Sequence, residues 1–587
     1  MKLKDIKRNL LVISTAFALS FSSLGITSYA VGNETSTREV STATSLTGLK
    51  NVDGKWYYLD ENGKLKETGW LSDSDIDSIV KNTEGENNLD TNTTEVEEKK
   101  IGWQNIGGKL YYYLEDGSQY KETGWFEEHS VNPKIDDEKE YYFEKDYSAV
   151  TGWKEIGGYW YYFDEQGVLK KGWVLDNYNW YYMDKTGEMQ KGWIKIDGKK
   201  YYLNESGAMV TGKKYIDDKW MFFGSDGALQ TGFYIYNGIK YYSDKEGEMV
   251  SNKWVTVNGK EYYVKADSSV AVGNMILNGK LLSFDDNGKY KGESKKEIED
   301  YLYIKYLNVG DADCAFIKLP SGETALIDTG YENTSDKLIE FLNSQPLYEK
   351  KGKKIIDYVI LTHGHSDHIG GLTAVLDNFK VNKVYMNENA GMKDWFTGVK
   401  VTSENSASIA MLKEDYRVYE NVMKYLDKHN IETVESVSGQ AIDRNGILKF
   451  VQSDKEFGPI GSDKLLEEYW ALNDRSSIVY LDYADLQVLF TGDIEWTAEK
   501  DFMVNELLNG NTVDILKVPH HGHDTSSTID FLRYVNAKLG VISRSKESIE
   551  KNIAYNNLIQ AGVTIFETSD KDGVVVYATA DNWNLEN

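Results

Sequence analysis

Between residues 152 and 233 the chain keeps a twenty-residue beat: Gly152-Trp153, Gly172-Trp173 and Gly192-Trp193, then Gly212-Lys213 and Gly232-Phe233. Between these marks run Trp160-Tyr161-Tyr162-Phe163-Asp164, Trp180-Tyr181-Tyr182-Met183-Asp184 and Lys200-Tyr201-Tyr202-Leu203-Asn204. Each is followed by a glycine three residues on, Gly167, Gly187 and Gly207. The pattern predicts a strand, a tight turn at the Asp/Asn-x-x-Gly, and a second short strand ending at the next Gly-Trp. A hairpin this small cannot bury its own aromatic face, so successive copies must stack into a β-hairpin solenoid. Less regular copies, Trp56-Tyr57-Tyr58 with Gly69-Trp70 and Tyr111-Tyr112-Tyr113 with Gly124-Trp125, extend the array over residues 48–295. Residues 72–100 interrupt it with an acidic, Asn/Thr-rich insertion of low hydrophobicity.

The repeats resemble the choline-binding, or cell-wall-binding, repeats of Gram-positive surface proteins. The resemblance implies a ligand held between consecutive hairpins by aromatic rings, and a quaternary ammonium suits such a box through cation–π attraction. It assigns that role to Trp153, Trp160, Tyr162, Trp173, Trp180, Tyr182 and Trp193. Lys200 and Lys213 stand where other copies have Trp, so some boxes are expected to be incomplete. Some members of the family bind other glycans, which leaves choline and a wall glycan as the two ligands.

Residues 1–30 read as a secretory signal: Lys2, Lys4, Lys7 and Arg8, a largely apolar Leu10 to Leu24, and a small-residue cleavage site at Ser28-Tyr29-Ala30. Residues 31–47 form a linker. No other stretch is long and apolar enough to span a bilayer, so a mature chain without a transmembrane segment, attached to the wall of a Gram-positive-type bacterium, is expected. One cysteine, Cys314, excludes an internal disulfide framework. A formal charge of −27 disfavours stable nucleic-acid docking, which depends on many basic contacts.

After Lys295 the grammar changes, and residues 298–587 read as a separate domain of alternating strands and helices. Strands are expected at Tyr301–Leu307, Ala315–Leu319, Thr324–Ile327, Ile356–Leu361, Ile478–Tyr483, Gln487–Thr491 and Val513–Val518. Helices are expected at Ser335–Asn343, Asp367–Asp377 and Glu414–His429. The chain has eight histidines. Three fall in His363-Gly364-His365-Ser366-Asp367-His368 and three in His520-His521-Gly522-His523, each cluster after an apolar strand-like run. Imidazoles and carboxylates converging at strand ends are ligands suited to borderline divalent metals.

Together with Leu326-Ile327-Asp328-Thr329-Gly330, Thr491-Gly492-Asp493 and Pro519-His520-His521-Gly522, these clusters resemble the metallo-β-lactamase superfamily, whose fold is an αββα sandwich. Asn308-Val309-Gly310-Asp311-Ala312-Asp313 and Asn473-Asp474-Arg475-Ser476-Ser477 look like the subgroup found in bacterial DNA-uptake channels and phosphorylcholine esterases. The resemblance implies two divalent ions, zinc first, with manganese or iron as alternatives. His363 and His365 would bind one ion and Asp367 and His368 the other. Asp493 would bridge them, and either His520 or His521 would complete the second site. Asp328 would orient a ligand ring from behind. Asp313, Asn473 and His523 are expected to line the site. The superfamily usually supplies a third histidine to the first ion. The only histidine in that interval is His429, which reads as a solvated helix end, so Asn473, Asp474 or water must take its place.

Such a centre suits phosphodiester hydrolysis. The resulting expectation is a secreted, wall-attached hydrolase acting on phosphorylcholine or related teichoic-acid-type groups, a small phosphodiester substrate. A secreted metal-dependent nuclease and a non-catalytic wall adhesin are the alternatives. Substrate choice is expected in the loops 387–408 and 454–473.

Overall fold

A computed structural model of the chain describes the backbone of residues 48–52 and 55–59 and then residues 99–131, 139–295, 298, 300–387, 406–453 and 471–587. The signal (1–30), the linker (31–47), Gly69-Trp70 and nearly all of the acidic insertion lie outside the described residues, as do 388–405 and 454–470 of the two loops. The chain divides into two units, 1–100 and 101–587. In the first, strands Gly48–Val52 and Lys55–Leu59 pair antiparallel with Gly48 opposite Leu59.

In the second unit the repeats are two-stranded hairpins, but their phase differs from the sequence expectation. Gly152–Ile156 pairs with Tyr159–Phe163, so each hairpin joins a Gly-Trp strand to the Tyr-Tyr strand after it. The connecting pair, Gly157-Gly158 here and Asp197-Gly198 in a later copy, has positive φ at both residues. That is the turn whose twist matches paired strands, and Asn, Asp and Gly supply it most easily. The Asp164-x-x-Gly167 turn is present too, but it links hairpins, and beyond it only a single bridge, Phe163 to Leu169, replaces the expected second strand. Asp164 Oδ1 accepts the Gln166 and Val168 N–H groups there. Stacking is carried by backbone bonds from the link after one hairpin to the hairpin before it, Met189 N–H to Trp160 O at 2.8 Å and Met209 N–H to Trp180 O at 2.7 Å. Alternation then sorts the rings. Tyr161 and Phe163 point into the stack with Val150 and Leu169, while Trp153, Trp160 and Tyr162 share the opposite face.

The array ends against the second half of the chain. Lys265 Nζ donates to Asn582 Oδ1 at 3.0 Å, the Ala266 N–H to Asn584 Oδ1 at 3.3 Å, and Asn582 Nδ2 to the Val272 carbonyl at 2.8 Å. These contacts lay the end of the array beside the edge strand Trp583–Glu586.

The second half is built on two sheets. A nine-stranded sheet runs Thr433–Val434, Lys380–Tyr385, Lys353–Ile360, Thr324–Ile327, Ala315–Lys318, Leu302–Leu307, Gly573–Ala578 and Trp583–Glu586, with Glu349–Lys350 paired beside Lys353–Ile360. A six-stranded sheet runs Leu448–Gln452, Ile478–Tyr483, Leu486–Phe490, Ile515–Lys517, Leu539–Ile542 and Thr564–Glu567. Their inner faces share one core that includes Ile304, Tyr306, Ile317, Val479, Leu481 and Val488. The outer face of the first sheet is covered by helices Ser335–Ser344, Leu372–Asn378 and Ser406–His429. The second is covered by Trp496–Val504, Ile529–Val535 and Ile553–Gln560. This is the expected helix–sheet–sheet–helix sandwich.

The helix expected over Asp367–Asp377 is two, Ser366–Ile369 and Leu372–Asn378. Gly370 and Gly371 lie between them, and neither has room for a side chain: a Cβ would lie 2.4 Å from Glu332 N and 2.4 Å from Thr329 O respectively. That close approach presses the histidine-bearing helix against the Asp328 loop.

Candidate metal centre

The site is assembled at strand ends. Thr324–Ile327 and Lys353–Ile360 run parallel, so the residues that follow them, Asp328 and Thr362 to His368, emerge side by side. Asp328 has a left-handed φ of 58°. Its Oδ1 accepts the Thr362 N–H at 2.8 Å, and its Oδ2 accepts the Thr362 hydroxyl at 2.8 Å and His368 Nδ1–H at 2.9 Å. With Nδ1 held in this way, His368 Nε2 faces inward. Burial raises the Asp328 carboxyl's pKa against the pull of His368.

Asp493 arrives from the other sheet, after Leu486–Phe490. Gly492 precedes it at φ 54°, where a Cβ would lie 2.9 Å from both Ser476 and Thr362. The Asp493 N–H donates to Ser476 Oγ at 3.1 Å, and Ser476 Oγ lies 3.3 Å from His363 Nδ1. After strand Ile515–Lys517, His520 and His521 both adopt left-handed backbone, with φ of 45° and 49°. This sharp turn sends the neighbouring rings to different places.

His521 Nε2 sits 3.2 Å from Asp493 Oδ2 and 3.2 Å from Asp367 Oδ2, and His368 Nε2 sits 3.2 Å and 3.5 Å from the same oxygens. His520 Nε2 is 4.0 Å from Asp493 Oδ2 and 3.5 Å from Asn473 Nδ2, while its Nδ1 is taken by Glu495 and Thr525 at 3.1 Å each. Of the two histidines left open by the sequence, His521 faces the Asp367–His368 pair, and His520 stands farther from Asp493.

One ligand atom each from Asp313, His368, Asp493 and His521 lies within 4.8 Å of the others, and all four residues are buried. Asp493 Oδ1 and His368 Nε2 are buried without a hydrogen-bond partner. A buried polar atom left unpaired costs free energy, and unpaired atoms converging from carboxylates and imidazoles fit a divalent cation. Burial works against charging His368 and His521, but Asp493 and its neighbouring carboxylates outweigh it and hold both imidazoles well above their usual pKa. Asp493 is buried too, yet His521 and His368 hold it well below the carboxylate range.

His363 Nε2 faces His365 Nδ1 at 3.0 Å, and the His363 ring centroid lies 4.1 Å from that of His368. His429 is exposed at its helix end, stacked on Tyr425 at 4.2 Å. Of the substitutes weighed for the third histidine, Asp474 is turned away, its Oδ1 accepting the N–H groups of Glu495 and Ala498. Burial raises its pKa to about 6. Asn473 and water remain: Asn473 Nδ2 donates to Glu495 Oε1 at 2.9 Å, and its Oδ1 is buried without a hydrogen-bond partner among the described residues.

Asp313 is more deeply involved than a lining role implies. It stands within the cluster, its Oδ1 3.4 Å from His521 Nδ1 and its Oδ2 2.6 Å from Lys517 Nζ. His523 lies off the cluster against Arg544, and burial with His520 nearby lowers its pKa to about 4. Sequence reading gave no role to Lys517, Ser476, Glu495 or Arg544. The signal for Lys517 was a cation in an apolar strand; Ser476 stood inside the Asn473-to-Ser477 motif, and Glu495 flanks Asp493 without a pattern of its own.

In the repeats the rings singled out do meet. Trp153 lies 6.4 Å from Trp160 and 5.1 Å from Tyr162, and Trp173 lies 6.4 Å from Trp180 and 5.2 Å from Tyr182. The next hairpin adds Tyr181 at 4.7 Å from Trp153 and Tyr201 at 5.0 Å from Trp173, two residues not among the expected set. Trp193 has Tyr202 at 5.1 Å and an Asp217 carboxylate at 3.1 Å from Nε1, but Lys200 stands where a second Trp would be.

Residues 307–545 match the family described as metallo-beta-lactamase superfamily. Residues 150–191, 170–213 and 210–254 match choline-binding repeats, and 47–65 and 101–118 a putative cell wall binding repeat. ComE operon protein 3 of Bacillus subtilis (strain 168) is 23% identical over 256 residues, 42% of this chain and 28% of that protein. The uncharacterized protein YcaI of Escherichia coli (strain K12) is 28% identical over 116 residues, 19% of this chain and 15% of that protein. The chain therefore spans less than a third of the length of either relative. Among solved structures, choline binding protein F from Streptococcus pneumoniae is 26% identical with a TM-score of 0.28, covering 42% of this chain and 86% of that one. The modular autolysin LytC from Streptococcus pneumoniae is 17% identical with a TM-score of 0.27, covering 75% and 91%.

Proposed function

We propose that this chain, which joins a metallo-beta-lactamase superfamily domain to choline-binding repeats, is a secreted, wall-attached, metal-dependent phosphodiesterase acting on small phosphodiester groups of the wall. The observation that carries the reading is the buried convergence of Asp493, His368 and His521, with Asp493 Oδ1 left without a hydrogen-bond partner among the described residues. On this reading His363, His365 and Asn473 would hold one ion and Asp367, His368 and His521 the second, and Asp493 would serve both. Zinc is the first expectation, and the amide oxygen of Asn473 keeps manganese and iron in play. Divalent ions in such a centre supply Lewis-acid polarisation of the phosphoryl group and an activated water.

The chain's own part is to hold these groups still. Asp328 fixes the ring of His368 through Nδ1, Ser476 anchors the Asp493 backbone, and Lys517 balances the charge of Asp313. The repeats raise the local concentration of wall substrate by tethering. That the sequence supplies no third histidine for the first ion favours a phosphodiester over a β-lactam. The test is the purified full chain against bis-p-nitrophenyl phosphate, p-nitrophenyl phosphorylcholine, single-stranded DNA and nitrocefin, with zinc, manganese and iron added back in turn. Phosphodiester turnover should exceed nitrocefin hydrolysis by orders of magnitude. Nitrocefin cleavage with every phosphodiester inert would end the reading, and DNA degradation with inert phosphorylcholine esters would replace it with a nuclease.

A further inference from the structure

Beside the metal centre lies a cavity of about 980 Å³ whose wall includes His365, Asp367, Asn473, Asp493 and His521. Histidines aside, every charged side chain on that described wall is a carboxylate except one, Arg544. Arg544 follows the strand Leu539–Ile542 by two residues and is held from two sides. Its Nε pairs with Asp311 Oδ2 at 3.2 Å, and its Nη1 donates to His523 Nε2 at 2.8 Å. These two contacts fix the guanidinium plane and leave Nη2 without a partner among the described residues. The side chain keeps 21% of its exposure, so it faces the cavity and is not sealed into the wall.

We propose that Arg544 takes the anionic oxygen of the substrate at this centre and that it selects a single phosphoryl charge over a polyanionic strand. The proposal rests on the phosphodiesterase reading for the identity of the anion. A guanidinium held in plane offers a directed, charge-assisted donor to a phosphoryl oxygen, which a flexible ammonium does not match. Elsewhere the wall carries Asp524, which is exposed, Glu414, whose carboxylate is paired with Arg417 at 2.7 Å, and Asp415, which is buried and accepts the Ser366 N–H. A substrate with one phosphoryl group can set its charge on Arg544 and turn a neutral or cationic group toward those carboxylates. A nucleic-acid strand would bring its neighbouring phosphates against them, with no further cation on the described wall to receive them.

The test uses the metal-loaded full chain and inorganic phosphate as the probe, read by titration calorimetry, with metal content and circular dichroism as controls. Arg544→Gln should weaken phosphate binding at least tenfold, roughly the loss of one charge-assisted contact, and Arg544→Lys should fall between. In turnover of bis-p-nitrophenyl phosphate the loss should appear chiefly in KM. In the wild type, phosphate should protect Arg544 from phenylglyoxal, a readout that needs no variant to fold. Phosphate binding unchanged in Arg544→Gln, no phosphate binding by the wild type, or full labelling of Arg544 under saturating phosphate would each overturn the proposal. If nitrocefin alone is turned over, the phosphodiesterase reading fails while phosphate binding still decides the role of Arg544.

Discussion

The ammonium of Lys213 donates a 2.9 Å hydrogen bond to the carbonyl of Gly562, nearly 350 residues away in sequence, and a second of 2.8 Å to Thr564 Oγ1. It also stands 4.2 Å from the ring centroid of Trp220. Lys213 occupies the place of the tryptophan in the Gly-Trp pairs, so this copy spends its aromatic face on a cation of its own chain. A departure from the repeat thus serves to fasten the array to the two-sheet domain.

This fastening has a pH signature. The stem of Lys213 keeps some exposure, but its ammonium is enclosed, and burial lowers its pKa from 10.5 to about 8. Between those values the unfolded chain binds more protons than the folded one, so stability from this residue rises with pH through the window. The penalty for the buried charge is complete below about pH 8. Wild type should therefore gain stability relative to Lys213→Met on going from pH 7.5 to 10, by on the order of 2 kcal/mol. Denaturation midpoints that run parallel in the two proteins would count against it.

Asp328 receives three donors: the Thr362 N–H, the Thr362 hydroxyl and His368 Nδ1–H. An amide can accept at one atom only, so Asp328→Asn must lose at least one of them. Metal affinity should drop about 10–100-fold with the fold intact by circular dichroism. Affinity equal to wild type would remove Asp328 from its orienting role.

Asn473 and Asp474 are adjacent but face different ways. Asn473→Ala should weaken one of two metal-binding events about tenfold or more. Asp474→Asn, which alters only the cap over Glu495 and Ala498, should leave both events in place. The reverse result in calorimetric metal titrations would move the oxygen ligand to Asp474.

Trp173 and Trp180 stand nearly perpendicular, at 90° and 6.4 Å, with Tyr201 beyond. The full chain should be retained on a quaternary-amine matrix and released by free choline. Trp173→Ala with Trp180→Ala should elute at several-fold lower choline, since each ring contributes roughly 0.5–2 kcal/mol. A folded wild type that passes through unretained points to a glycan ligand.

The His363 to His368 motif, the Asp328 and Asp493 turns and the paired histidines were legible because each follows an apolar strand, and strand ends converge in a sandwich. The strands Thr324–Ile327 and Ile478–Tyr483 fall where the hydrophobic pattern places them. The hairpin phase was not legible, because Asp164-x-x-Gly167 and Gly157-Gly158 are both good turns and only stacking decides which one closes the ladder. The break at Gly370-Gly371 lies where Thr329 and Glu332 approach closely, a tertiary fact without a local signal. That the His521 ring and not the His520 ring faces Asp367 and His368 depends on left-handed backbone at both residues, which composition does not foretell.

The most direct measurement of the central claim is the divalent metal content of the purified full chain by elemental analysis, before and after reconstitution, beside Asp493→Ala. Two ions per chain are predicted for the wild type. The variant should hold one or none, with circular dichroism unchanged and hydrolysis abolished. A folded wild type that takes up no more than trace zinc, manganese or iron on reconstitution, or an Asp493→Ala protein that keeps both ions, would contradict the account.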